Sequence, residues 1–147
     1  VNGQLKKQHG KVEVSRLYTE IVMEHFKNPR NIGVIENADA IVQVGDPSCG
    51  DSLLLFLKIE DDIITDVKFL IKGCGAAIAT SSMATEMAKG KSLEGALALT
   101  DEQVADALGG LTEDKVHCSS LAVGALHAAI LRYLSPEEEK ENGDDGA

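Results

Sequence analysis

The sequence predicts an α+β fold: a small three-stranded antiparallel sheet with helices packed on one face. Two observations carry this. Between about Ile41 and Ile71 apolar residues alternate with polar ones, and from Ala76 onward the apolar spacing turns helical and stays so. After one leading helix, strands therefore precede helices, which is the order of a sheet covered on one side.

Ser15 is a suitable N-cap, and Tyr18, Ile21, Val22, His25 and Phe26 follow at helical spacing, so a first amphipathic helix is expected from about Arg16 to Phe26. Asn28-Pro29-Arg30-Asn31 ends it. Ile41 to Val44 is short and apolar enough for a strand. Leu53, Leu55, Leu57 and Ile59 alternate, Glu60-Asp61-Asp62 interrupts, and Thr65, Val67, Phe69 and Ile71 alternate again, which reads as a hairpin with one buried face. Ala76 to Lys89 is a helix rich in small residues that stops at Gly90, implying close packing against another backbone. Ser92 caps a short helix to about Leu99. Thr100 and Gln103 form a capping box for another that halts at Gly109-Gly110. The last and longest runs from about Cys118 to Leu134 with Leu121, Ala122, Ala125, Ala129, Ile130 and Tyr133 as its apolar stripe, and Pro136 follows it.

The chain has 147 residues, 44% hydrophobic and 26% charged, enough for one domain with a real core. The expected division is a flexible segment 1–14, a folded domain 15–135 and a disordered acidic tail 136–147 holding Glu137, Glu138, Glu139, Glu141, Asp144 and Asp145. No apolar run approaches the roughly 20 residues that span a bilayer, and Val1 to Glu13 lacks the apolar centre of a secretory signal. A cytoplasmic protein without a membrane partner is expected, in which thiols stay reduced. A net charge of -10 opposes binding to nucleic acid and favours partners with basic surfaces.

The chemistry lies in three cysteines: Cys49-Gly50-Asp51, Gly73-Cys74-Gly75 and His117-Cys118. Three thiols cannot all pair within one chain, and none belongs to a C-x-x-C pair, so neither a disulfide framework nor an ordinary zinc knuckle accounts for them. A lone cysteine is ordinarily a small buried hydrophobe. Three at junctions between elements, beside Gly, Asp or His, point instead to soft ligands with Asp51 or His117 placed to supply a fourth. Cys74 is expected to open the alanine-rich helix and Cys118 the long one, where the partial positive charge of a helix N-terminus favours the thiolate. The flanking glycines leave room for a bulky inorganic group. His9, His25 and His127 are read as structural.

Asn28-Pro29-Arg30-Asn31-Ile32-Gly33, Gly45-Asp46-Pro47-Ser48-Cys49-Gly50-Asp51, Gly73-Cys74-Gly75-Ala76-Ala77-Ile78-Ala79 with Ser81-Ser82-Met83, and His117-Cys118-Ser119 together resemble the signature segments of the iron-sulfur cluster assembly scaffold family, IscU/NifU type. The match runs from about Leu17 to Tyr133, and the cysteine spacing resembles the simple scaffold. Zinc-bound sulfur acceptors of the SufU type carry an extra segment between the second and third cysteines.

The resemblance implies an IscU-like fold and a non-catalytic scaffold. On it, Cys49, Cys74 and Cys118 ligate a nascent [2Fe-2S] cluster, with Asp51 or His117 as fourth ligand or proton handler. It implies sulfur received as persulfide from a cysteine desulfurase, iron from an iron donor, an electron donor, and transfer of the cluster to recipient apo-proteins. Zn²⁺ in the cluster-free form and a homodimer are compatible with it. Cys118, beside His117 at an expected helix start, is the reading for the first persulfide acceptor. Many scaffolds carry Leu-Pro-Pro-Val-Lys before the His-Cys pair to recruit an Hsp70-type chaperone. Here Leu111-Thr112-Glu113-Asp114-Lys115 keeps only the ends, which argues against that recruitment. The alternative function is a zinc-bound sulfurtransferase using the same cysteines and Asp51. A structural zinc domain for protein contacts is a third reading.

Overall fold

The computed structural model describes residues 19–46 and 51–135, apart from the side chains of Asp46 and of residues 113–117. Expectations for segment 1–14, the Ser15 cap, Cys49, the side chain of His117 and the tail 136–147 lie outside the described residues. The first helix, α1, is Glu20–Lys27. It starts later than expected because the Thr19 side chain caps it, accepting from the Val22 amide at 3.1 Å. The same hydroxyl donates to the Leu108 carbonyl, which ties the helix start to a residue 89 positions further along the chain.

Strands β1 (Ala40–Asp46), β2 (Asp51–Glu60) and β3 (Ile63–Lys72) form one antiparallel sheet in the order β1-β2-β3. Leu53, Leu55, Leu57 and Ile59 are buried as their alternation predicts. In β3 the buried set is Ile64, Val67 and Phe69, while Thr65 is exposed. The reason is a bulge: Lys58 pairs with Asp66 but Ile59 with Ile64, so Thr65 is the extra residue and the side chains before it change face. Asp61 and Asp62, at φ 53° and 61°, make the two-residue turn whose left-handed backbone matches the twist of the hairpin.

The helices that follow the sheet are α2 (Gly75–Ala88), α3 (Leu93–Leu97), α4 (Asp101–Ala107) and α5 (Glu113–Leu134), with α3 packed on α5 and α4 on α2 and α5. Helix α5 lies over β1 and β2, α2 over β3, and the two pack on each other while α1 packs on the far side of α2. Covered from three directions, α2 buries nine residues, all Ala, Ser or Thr, and only such small side chains let three neighbours approach it. The capping box of Thr100 and Gln103 is present, and Lys89 ends α2 before Gly90 at φ 88°.

The segment after α1 does more than end the helix. Asn31, at φ 65°, accepts from the Phe69 amide (2.8 Å), and the Gly33 amide donates to the Phe69 carbonyl (3.0 Å), so the chain closes the free edge of β3. The Asn31 side-chain amide donates to Thr85 and Glu86 on α2. The turn thereby ties β3 to the C-terminal part of α2, at the far end of the helix from Cys74.

Candidate metal centre

Lys72 ends β3, Gly73 turns the chain, and Cys74 is the N-cap of α2 with extended backbone angles (φ -75°, ψ 171°) and no capping hydrogen bond from its sulfur. Asp51 opens β2 on the neighbouring strand, since Ser52 pairs with Lys72. Cys118 comes from α5, and its carbonyl accepts from the Thr80 hydroxyl of α2 at 3.2 Å, a bond that holds the two helices in register.

These three elements bring one ligand atom each from Asp51, Cys74 and Cys118 within 4.8 Å of one another. The two sulfurs are 3.8 Å apart and are not joined by a disulfide. Cys118 is 2% exposed and packs with the fully buried Ala76 and Ala77, against which Ile71 and Cys74 also rest, while Cys74 and Asp51 are half-buried. The donors therefore sit beside a small buried apolar cluster. Two soft thiolates with one hard carboxylate suit iron or zinc, and partial exposure lets a bound group exchange with solvent.

Cys118 is not at a helix start. Helix α5 begins five residues earlier, with Thr112 as N-cap and Glu113 and Asp114 in the first turn, a conventional start signal. Cys118 thus lies in the second turn, beyond the reach of the terminal partial charge, and the helix-terminus argument applies to Cys74 alone. The room expected beside Gly75 is also taken: a Cβ there would meet the Phe26 ring at 3.3 Å. Phe26 had shown in the sequence only as part of an amphipathic stripe, and no local signal marks it as a neighbour of this turn.

His25 lies away from the centre. It is buried, with Nδ1 2.7 Å from the Ser82 hydroxyl, which also accepts from the Arg30 amide at 2.8 Å. Burial holds its pKa below the ordinary 6.5, aided by the nearby Arg30 charge and opposed by Glu86 and Glu24. We assign the Ser82 proton to Nδ1 of a neutral imidazole.

Residues 17–140 match the model of the NifU-like N terminal domain. Over 118 residues, 80% of this chain and 77% of the relative, the sequence is 56% identical to iron-sulfur cluster assembly scaffold protein IscU 1 of Archaeoglobus fulgidus. It is 48% identical over 126 residues to the IscU scaffold protein of Aquifex aeolicus, covering 84% of this chain and 80% of that one. Among solved structures, a putative scaffold protein for the SUF system from Fervidobacterium islandicum superposes with a TM-score of 0.61 at 27% identity, covering 79% of this chain and 98% of that one. An N-terminal NifU-like protein from Brucella abortus, 20% identical, shares the fold with a TM-score of 0.64 over 83% of this chain and 97% of its own. With the signature segments, the sheet order and the family match in agreement, this chain belongs to the NifU-like N-terminal domain family.

Proposed function

We propose that this domain is a scaffold on which an iron-sulfur cluster is assembled and from which it is passed to apo-proteins. The observation that carries the reading is the convergence of Asp51, Cys74 and Cys118 from two separate helices and a strand onto one point within 4.8 Å. The cluster is cargo, and the donor set suits cargo. Four thiolates would hold a cluster durably, whereas a carboxylate oxygen binds iron more labilely and opens a route for incoming thiols. Cys74 and Cys118 supply the soft ligands, Asp51 the labile one, and Cys49 and His117 complete the proposed set.

Sulfur arrives as the outer atom of a desulfurase persulfide. A site thiolate attacks that atom, the desulfurase thiolate leaves, and the sulfur is now carried as a persulfide on the scaffold. Releasing it as sulfide takes two electrons, so the proposal includes an electron donor as well as an iron donor. The first cluster formed is [2Fe-2S], and Zn²⁺ takes the same donors in the cluster-free form. The likeness to a SUF-system structure keeps the zinc-bound sulfur acceptor as the second reading. Among the described residues no helix is long and apolar enough to cross a membrane.

Anaerobic reconstitution with iron, cysteine and a desulfurase tests the proposal, followed by visible spectroscopy and transfer to an apo-ferredoxin. A scaffold turns brown and hands the cluster on. Asp51→Ala then retains its cluster longer in air and transfers it more slowly. A protein that keeps zinc, forms no cluster and still accepts sulfur would establish the second reading in its place.

A further inference from the structure

We propose that Gly73 is a positioning residue: the absence of a side chain there makes the space in which the Asp51 carboxylate reaches the thiol pair. This rests on the scaffold reading of the site. A Cβ at position 73 would stand 2.9 Å from Asp51 Oδ1, 3.5 Å from its Cγ and 3.1 Å from the Cβ of Ala77. A Cβ essentially never comes within 3.0 Å of a non-bonded heavy atom, so something must move. Ala77 cannot: it is fully buried in the first turn of α2 and packs with Ala76 and Cys118. The carboxylate can, because it ends a half-buried side chain with two rotatable bonds.

Backbone conformation does not explain the glycine. The described glycines at positive φ are Gly33, Gly45, Gly90, Gly109 and Gly110, and Gly73 is not among them. Its φ lies outside the left-handed region, so the argument against a side chain here is one of space. A methyl group at this position therefore turns the carboxylate away from Cys74 and Cys118. Gly73 thus sets whether the site offers a mixed or an all-sulfur face to its cargo.

The test uses Co²⁺ as a spectroscopic probe of the metal-free chain, with Gly73→Ala, Asp51→Ala and the double variant compared to wild type. Gly73→Ala should stay folded by circular dichroism and bind Co²⁺ about tenfold more weakly, the loss typical of displacing a ligand's support. Its ligand-field bands should match those of Asp51→Ala. The double variant should bind no more weakly than Asp51→Ala, because a clearance has no effect once the carboxylate is gone. Wild-type affinity in Gly73→Ala, or a loss that adds to that of Asp51→Ala, overturns the proposal. Wild type lacking thiolate-to-cobalt charge transfer would overturn the site itself, a different failure. Should Gly73→Ala alone lose its fold, the same comparison is made in an Ala77→Gly background, which removes the 3.1 Å contact and leaves only the clash with Asp51.

Discussion

Ser81 and Ser82 are adjacent on α2, 1% and 0% exposed, and replacing each by alanine should change stability in opposite directions. The Ser82 hydroxyl joins two groups from the α1 end of the chain, His25 Nδ1 at 2.7 Å and the Arg30 amide at 2.8 Å. Ser82→Ala leaves a buried acceptor and a partly buried donor without partners. An unsatisfied buried group costs about 1–3 kcal/mol, and the Arg30 amide can recover water, so the expected loss is about 2 kcal/mol. For a domain of this size that is roughly 8 °C in Tm.

Ser81 is the reverse case. Among the described residues its hydroxyl has no hydrogen-bond partner, and it lines a packing gap, too narrow for a water molecule, with Leu53, Leu55, Ala84, Thr85, Ala122 and Leu126. Ser81→Ala removes a desolvated polar atom with little lost contact and should raise stability by about 1 kcal/mol. Urea unfolding of the metal-free protein, with unchanged m-values, reads both effects. Equal losses in the two variants would refute the reasoning, because the Ser81 hydroxyl would then have a partner that this packing does not provide.

Cys74→Ser and Cys118→Ser should each keep the far-ultraviolet circular dichroism of wild type and fail to hold a reconstituted cluster, since the sheet-helix core does not depend on metal and a hydroxyl is a poor substitute for a soft thiolate. Because the folded-state pKa of His25 is depressed, the unfolded chain binds more protons at acid pH. Stability from this group is complete above the ordinary value of 6.5 and is lost as pH falls below it toward the depressed value. Unfolding free energies of wild type should therefore fall more steeply between pH 7.5 and 5.5, an interval of about two units, than those of His25→Gln, and parallel curves would contradict the assignment. A desulfurase complex should form around the thiol face and weaken as salt rises, given the net charge of -10. Cross-links confined to residues 136–147 would place the contact elsewhere.

What the sequence determined by itself is whatever local chemistry decides. The alternation of Leu53, Leu55, Leu57 and Ile59 sufficed for a half-buried strand, and Thr100 with Gln103 for a helix start, because side-chain period and capping depend only on near neighbours. Three cysteines beside small or ionisable residues pointed to a candidate ligand set, of which Cys74 and Cys118 lie among the described residues and come together with Asp51.

Where local signals competed, the reading slipped. Thr112 with its acidic first turn outranked Cys118 as the start of α5, and a bulge at Thr65 broke a regular alternation that the sequence does not announce. Tertiary structure alone decided that Asp51, Cys74 and Cys118 meet, that Ser82 binds His25, and that Gly73 leaves space for a carboxylate. Each of those contacts joins elements far apart in the chain. Their geometry is set by how α2 and α5 pack on the sheet and α1 on α2, and that packing is a property of total volume and close fit rather than of any short stretch of residues.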